Sequence, residues 1–271
     1  MIKTSAVIAL AAALYPACAG AVDGQVLINQ TTVMTAGGFP YKITQPGSYK
    51  LSGNLTVTGV VDGIDILASN VTLDLNGFSI IGPIGCSGAP PTCAGNAGNG
   101  VQANLLSGFV TVKNGIIQGF NIGVFLMVPA NLVDLQATAN VGAGIATTAA
   151  GTVIARCQTS FNGGTGISAS FATISDSTAN YNGNDGFVVS KSTLTHSVAN
   201  RNANYGIQAI GGVLTQNMVD FNTTAGVNFV VNQPSTLFGS NTITNTVSGH
   251  DLLQPAGALS QNNNLCSLGS C

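Results

Sequence analysis

Apolar and polar positions along residues 132–227 repeat with a period near twenty. Five Asn residues set the register: Asn140, Asn162, Asn182, Asn202 and Asn222. Eight positions before them stand Leu132, Ile154, Ile174, Leu194 and Leu214, and three before stand Ala137, Thr159, Ala179, Ala199 and Val219. Five positions after them, each following a Gly, come Ile145, Ile167, Phe187, Ile207 and Val227. Short strands with one inward side chain each, separated by turns, produce such a pattern when one unit is stacked on itself. The expected element is a β-solenoid coil, and the Asn column is expected to be scaffold. At about 4.8 Å per coil, stacked amides can satisfy the turn backbone and one another.

The phrase from Leu214 through Asn217 and Asn222 to Gly226-Val227 resembles the repeat of right-handed parallel β-helix proteins of the pectate-lyase-like architecture. Residues 71–82, with Asp74, Asn76 and Gly77, and residues 110–120, with Asn114, Gly115 and Gly119, resemble earlier coils of such proteins. The chain as a whole is similar to a group of exported bacterial right-handed β-helix repeat proteins. The resemblance implies an all-β, right-handed parallel β-helix over residues 45–246, with an N-terminal cap at 22–44 and a C-terminal cap at 247–271. It does not imply one activity, because the fold hosts lyases, hydrolases, epimerases, adhesins and tailspikes.

Composition narrows the classes further. Charged residues are 6% of the chain and glutamate is absent, so helices laced with ion pairs are not expected. A formal charge of −2 without basic clusters argues against nucleic acid as a partner. Lys3, the apolar run 6–14 and the small residues ending at Ala21 read as a signal peptide over residues 1–21, giving a secreted or periplasmic protein without a transmembrane segment. Cys18 fits a lipoprotein acylation site poorly, because Tyr15 stands three residues upstream. In an exported chain Cys86/Cys93 and Cys266/Cys271 are candidate disulfides, with Cys157 a buried thiol. Residues 83–100, with two consecutive prolines, are expected to project as a stapled loop.

Six positions before each Asn lies a column of changing charge: Asp134, Arg156, Asp176, His196 and Gln216. It is expected at an outward bend. Asp176 with Arg156 and His196 would supply a base, a charge clamp and an acid for a polysaccharide lyase or hydrolase. Asp134 and Asp176, two coils or roughly 9–10 Å apart, stand at the outer limit of glycosidase carboxyl spacing. The structural reading, opposite charges offsetting one another in register, is preferred. No cofactor is implied. Calcium is the one alternative kept open: it needs several converging oxygens, Asp185 and Asp220 stand alone, and the Asp62, Asp65 and Asp74 group lies on early coils without the nearby Arg a pectate lyase would want.

Immediately before the Asn column stand Ala139, Phe161, Tyr181, Arg201 and Phe221. Facing outward they would form a platform for sugar rings with Arg201 in cation–π contact, but strand parity places them in the core. A small hydroxyl array, Thr173/Ser175, Thr193/Thr195 and Thr215, gives a minor ice-binding alternative. The expectation is a lateral face that binds an extended polysaccharide or cell-surface glycan, touching Asp134, Gln216, Tyr181 and Arg201.

Overall fold

The computed structural model describes residues 24–104, 108–230, 235–244, 250–253, 258–261 and 263–267. The expected leader, Cys18 and Cys271 lie outside them. The chain is a parallel β-solenoid of about ten turns. Leu73, Val112, Leu132, Ile154, Ile174, Leu194, Leu214 and Phe238 stack in register as one inward column, all at most 1% exposed. Ile117, Ala137, Thr159, Ala179, Ala199, Val219 and Ile243 form a second. A third runs through Ile64, Val101, Val124, Ile145, Ile167, Phe187, Ile207 and Val227. Three faces therefore surround one narrow core.

One coil shows why the chain bends where it does. Strand Thr173–Ser175 ends at Asp176, strand Thr178–Asn180 ends at Tyr181, and strand Phe187–Thr195 bends at Lys191. These three corner residues have φ of 52°, 52° and 49°. A left-handed residue costs an L-amino acid roughly 1–2 kcal/mol. The stack offsets that cost by repeating the same bond over successive rungs. At the first corner Asp176 N–H donates to Thr195 O at 3.2 Å, and at the second Tyr181 N–H donates to Asn200 O at 3.0 Å.

The left-handed residue also breaks strand alternation. After inward Ala179, both Asn180 and Tyr181 face out, and Asn182 faces in. Over much of the stack the buried residue after the corner is polar and satisfies bent backbone, although Leu135 and Ala172 keep the apolar choice. After the second corner, Asn140, Asn162, Asn182, Asn202 and Asn222 form an amide ladder with Nδ2···Oδ1 distances of 2.9–3.0 Å. After the first corner a second ladder passes from Ser177 and Ser197 to Asn217, Asn241 and Asn264. It begins at Cys157, whose thiol burial pushes up to about 11.

Strand pairing extends past residues 44 and 246 at both ends. Gln25–Ile28 pairs with Gly47–Leu51, and Leu252–Leu253 pairs with Val227 and Asn228. Over the first coil lies a helix, Gln30–Thr35, capped by the Asn29 side chain and burying Val33. Gln30 both donates to Thr56 O and accepts from Thr56 N–H, so one side-chain amide occupies an otherwise open strand edge.

Candidate functional site

The second corner carries a continuous ladder of large side chains. The Phe161 and Tyr181 rings are parallel within 4°, with centroids 5.3 Å apart. The Arg201 guanidinium carbon lies 5.5 Å from the Tyr181 centroid and 5.2 Å from that of Phe221. Phe161 and Phe221 are 43% and 42% exposed, which corrects the core placement expected from parity. Parity fails because each of these residues is itself the left-handed corner. A signal was available: like Asp176, they stand two after an inward residue and one before a buried polar one.

Parallel rings at this separation cannot lie side by side in one plane without collision, so they are offset plates stacked along the solenoid axis. Their faces are turned toward one another and toward the guanidinium. Solvent meets the ring edges and Arg201, which is exposed. The open platform of ring faces that an outward placement would give is therefore not what this column presents.

A disulfide-stapled hairpin lies along the same corner. Its strands, Gly85–Ser87 and Thr92–Ala94, are antiparallel and joined by Cys86–Cys93. Cys93 Sγ sits 3.4 Å from the Asn140 carbonyl oxygen. Gly163 and Gly183 permit this approach, since a Cβ on either would stand 3.1 Å from Cys93 Sγ or from Pro91 O. At the hairpin tip, Ala89 and Pro90 face Tyr181, Arg201, Ala203, Phe221 and Thr223 across a cleft of about 160 Å³. Larger concavities flank the N-terminal helix: those of about 790 and 670 Å³ have no titratable lining residue, and one of about 230 Å³ past the helix end is lined by Tyr41 and Lys42.

The column of changing charge occupies the first corner, one strand away from the hairpin tip. Asp134 and Arg156 form a bidentate pair at 2.7 and 2.9 Å. That hydrogen bond holds the Asp134 carboxyl below its ordinary value and raises Arg156. Arg156 is thus turned to Asp134, while Asp176, His196 and Gln216 stand exposed on successive corners. Each is aimed outward from a bend, not toward the hairpin cleft.

The remaining carboxylates are held singly or as a pair. Asp74 pairs with Lys113 at 3.6 Å and accepts from Asn76 N–H and the Asn114 amide. Asp185 is buried, which raises it, and it accepts from Tyr205 N–H and the Asn204 amide. Asp62 accepts from Asn99 N–H, while burial and the Asp62 carboxylate push Asp65 up to about 6. No three metal-ligating side chains converge among the described residues. The hydroxyl array is short: Thr173 and Thr193 are in register, between Val153 and Val213. Cys266/Cys271 ends outside the described residues.

No protein-family model matches the chain, and no curated protein sequence does. Solved structures do. The Dettilon tailspike protein gp208 superposes with a TM-score of 0.65 at 11% identity, over 89% of this chain and 54% of its own. The periplasmic alginate epimerase AlgG superposes at 0.51 with 12% identity, over 81% of this chain and 72% of its own. The chain is a parallel β-helix repeat protein. At these identities the likeness is one of fold, and the chain spans about half the length of the tailspike. No described helix is long and apolar enough to cross a membrane.

Proposed function

We propose that this protein is exported and binds an extended glycan along the lateral face bearing the second corner, with no catalytic role for Arg156, Asp176 and His196. The observation that carries this reading is the Phe161–Tyr181–Arg201–Phe221 ladder, exposed but for the half-buried Tyr181 and bordered by the stapled hairpin. A run of large exposed side chains on consecutive coils is uncommon on a monomer surface without a ligand to cover it. The solenoid holds that run rigid at a repeat of about 4.8 Å, so a polymer meets a preorganised linear site and little ordering cost opposes binding. A solved neighbour, AlgG, is by name an alginate epimerase, which is consistent with a fold used at polysaccharide surfaces.

Affinity electrophoresis through gels cast with different polysaccharides tests the reading. The wild-type protein is expected to be retarded by at least one polymer, and Phe161→Ala with Tyr181→Ala to lose the retardation while melting as wild type. A glycan array and gels that are blank throughout for folded protein would overturn it.

A further inference from the structure

The chain has only two arginines, and the structure uses them differently. Arg156 is committed to Asp134 through two hydrogen bonds. Arg201 has a ring on each side and, among the described residues, no carboxylate within ion-pair distance. Two acids on neighbouring coils are engaged by other groups: Asp220 accepts from the Thr244 hydroxyl at 2.8 Å, and Asp185 is buried against Tyr205 N–H and Asn204.

A guanidinium between two rings meets π-faces that accept none of its five N–H groups as conventional hydrogen bonds, so those donors stay available to a ligand. Tyr181 and Phe221 thereby flank the fork without consuming its donors. The cleft that Arg201 lines is bordered across from it by Ala89 and Pro90, and its other lining residues, Ala203 and Thr223, carry no charge. Its volume of about 160 Å³ suits a pendant substituent and not a polymer backbone. A low-charge cleft lined by one cationic fork with free donors is a receptor for an oxyanion.

Resting on the glycan-binding reading, we infer that Arg201 and the Ala89–Pro90 tip form an anion subsite that takes a charged substituent of an acidic glycan, a carboxylate or a sulfate ester. The glycan chain runs outside along the ring edges, and its substituent enters beneath the hairpin. The hairpin makes the slot one-sided, so the substituent's spacing along the polymer decides which glycans fit.

The test is isothermal titration with four polymers: a polyuronate, its fully methyl-esterified form, a sulfated glucan and the unsulfated glucan. Wild-type protein is expected to prefer a charged polymer over its neutral counterpart by about tenfold or more, the scale of one charge-assisted hydrogen-bonded contact. Whichever charged polymer binds tells a planar carboxylate from a tetrahedral sulfate. Arg201→Gln is expected to remove the preference, and Arg201→Lys to restore part of it by keeping the charge without the fork. Circular dichroism and melting keep misfolding apart from lost recognition. Equal binding of charged and neutral polymers, or an unchanged preference in Arg201→Gln, overturns the anion subsite while glycan binding stands. Absence of binding to all four and to a glycan array overturns both.

Discussion

Tyr181 and Asn182 are consecutive in the chain and point in opposite directions. The Tyr181 ring lies on the outside against Phe161, and the Asn182 amide lies inside, donating to Asn202 Oδ1 at 3.0 Å. One left-handed residue at φ 52° produces both outcomes. The ligand-facing ladder and the scaffold ladder are therefore built by the same corner, and neither can be moved without the other.

Removing one rung of the inner ladder should be costly. Asn182 Oδ1 accepts from Asn162 N–H and the Asn162 amide, and Asn182 Nδ2 donates to Thr159 O and Asn202 Oδ1. Asn182→Ala leaves several of these groups buried without a partner, each at about 1–3 kcal/mol. A loss of roughly 3–5 kcal/mol is expected on that count. Urea unfolding followed by circular dichroism measures it, and a midpoint within error of wild type would refute the structural role.

The architecture was legible because the residues that build it repeat. Leu194 and its stacked equivalents recur at one offset, and all are buried. The second polar ladder was harder to see, since Cys157, Ser177, Ser197 and Asn217 share small size and a buried polar atom but no residue type. The face of the aromatic column was misjudged because alternation fails at a non-glycine left-handed residue, and residue type does not mark that conformation. The cleft was illegible for another reason. Pro90 and Arg201 are far apart in sequence, and only the packing of the hairpin over Gly163 and Gly183 brings them together.

The first-corner column should prove dispensable for ligand binding. Asp176→Asn and His196→Gln alter exposed side chains on bends that face away from the hairpin. Glycan affinity and melting temperature are expected to stay at wild-type values. Incubation with polyuronates, followed by absorbance of unsaturated ends and a reducing-sugar assay, provides the contrary outcome. Product formed by wild type and lost in these variants would assign the column to catalysis.

Stability should fall as pH rises through the Asp65 transition. Burial, and then the neighbouring Asp62 carboxylate, push Asp65 up to about 6 from its ordinary 3.8, while Lys42 acts in the opposite direction. Between those values the folded protein binds more protons than the unfolded chain, so the slope of unfolding free energy with pH is negative. The stabilising proton is fully bound below about pH 4 and lost as pH passes 6. Asp65→Asn should flatten the decline between pH 4 and pH 7, measured as melting temperature against pH. A slope unchanged by the substitution would locate the proton elsewhere.

The Cys86–Cys93 bond should matter for recognition far more than for the fold. It closes a loop of only a few residues, and its two strands form a sheet separate from the solenoid. Chain-entropy arguments give about 2–3 kcal/mol for so short a loop. That amount bears on the order of the hairpin, because no solenoid strand pairs with it. Cys86→Ser with Cys93→Ser is therefore expected to melt within a few degrees of wild type. The Ala89–Pro90 tip would no longer be held over Arg201, and affinity for the bound glycan should drop severalfold through faster dissociation, read by biolayer interferometry. The same loss should follow mild reduction of the wild-type protein and reverse on reoxidation. If the reduced protein binds with wild-type kinetics, the hairpin is not a wall of the site, and the ladder alone must carry recognition.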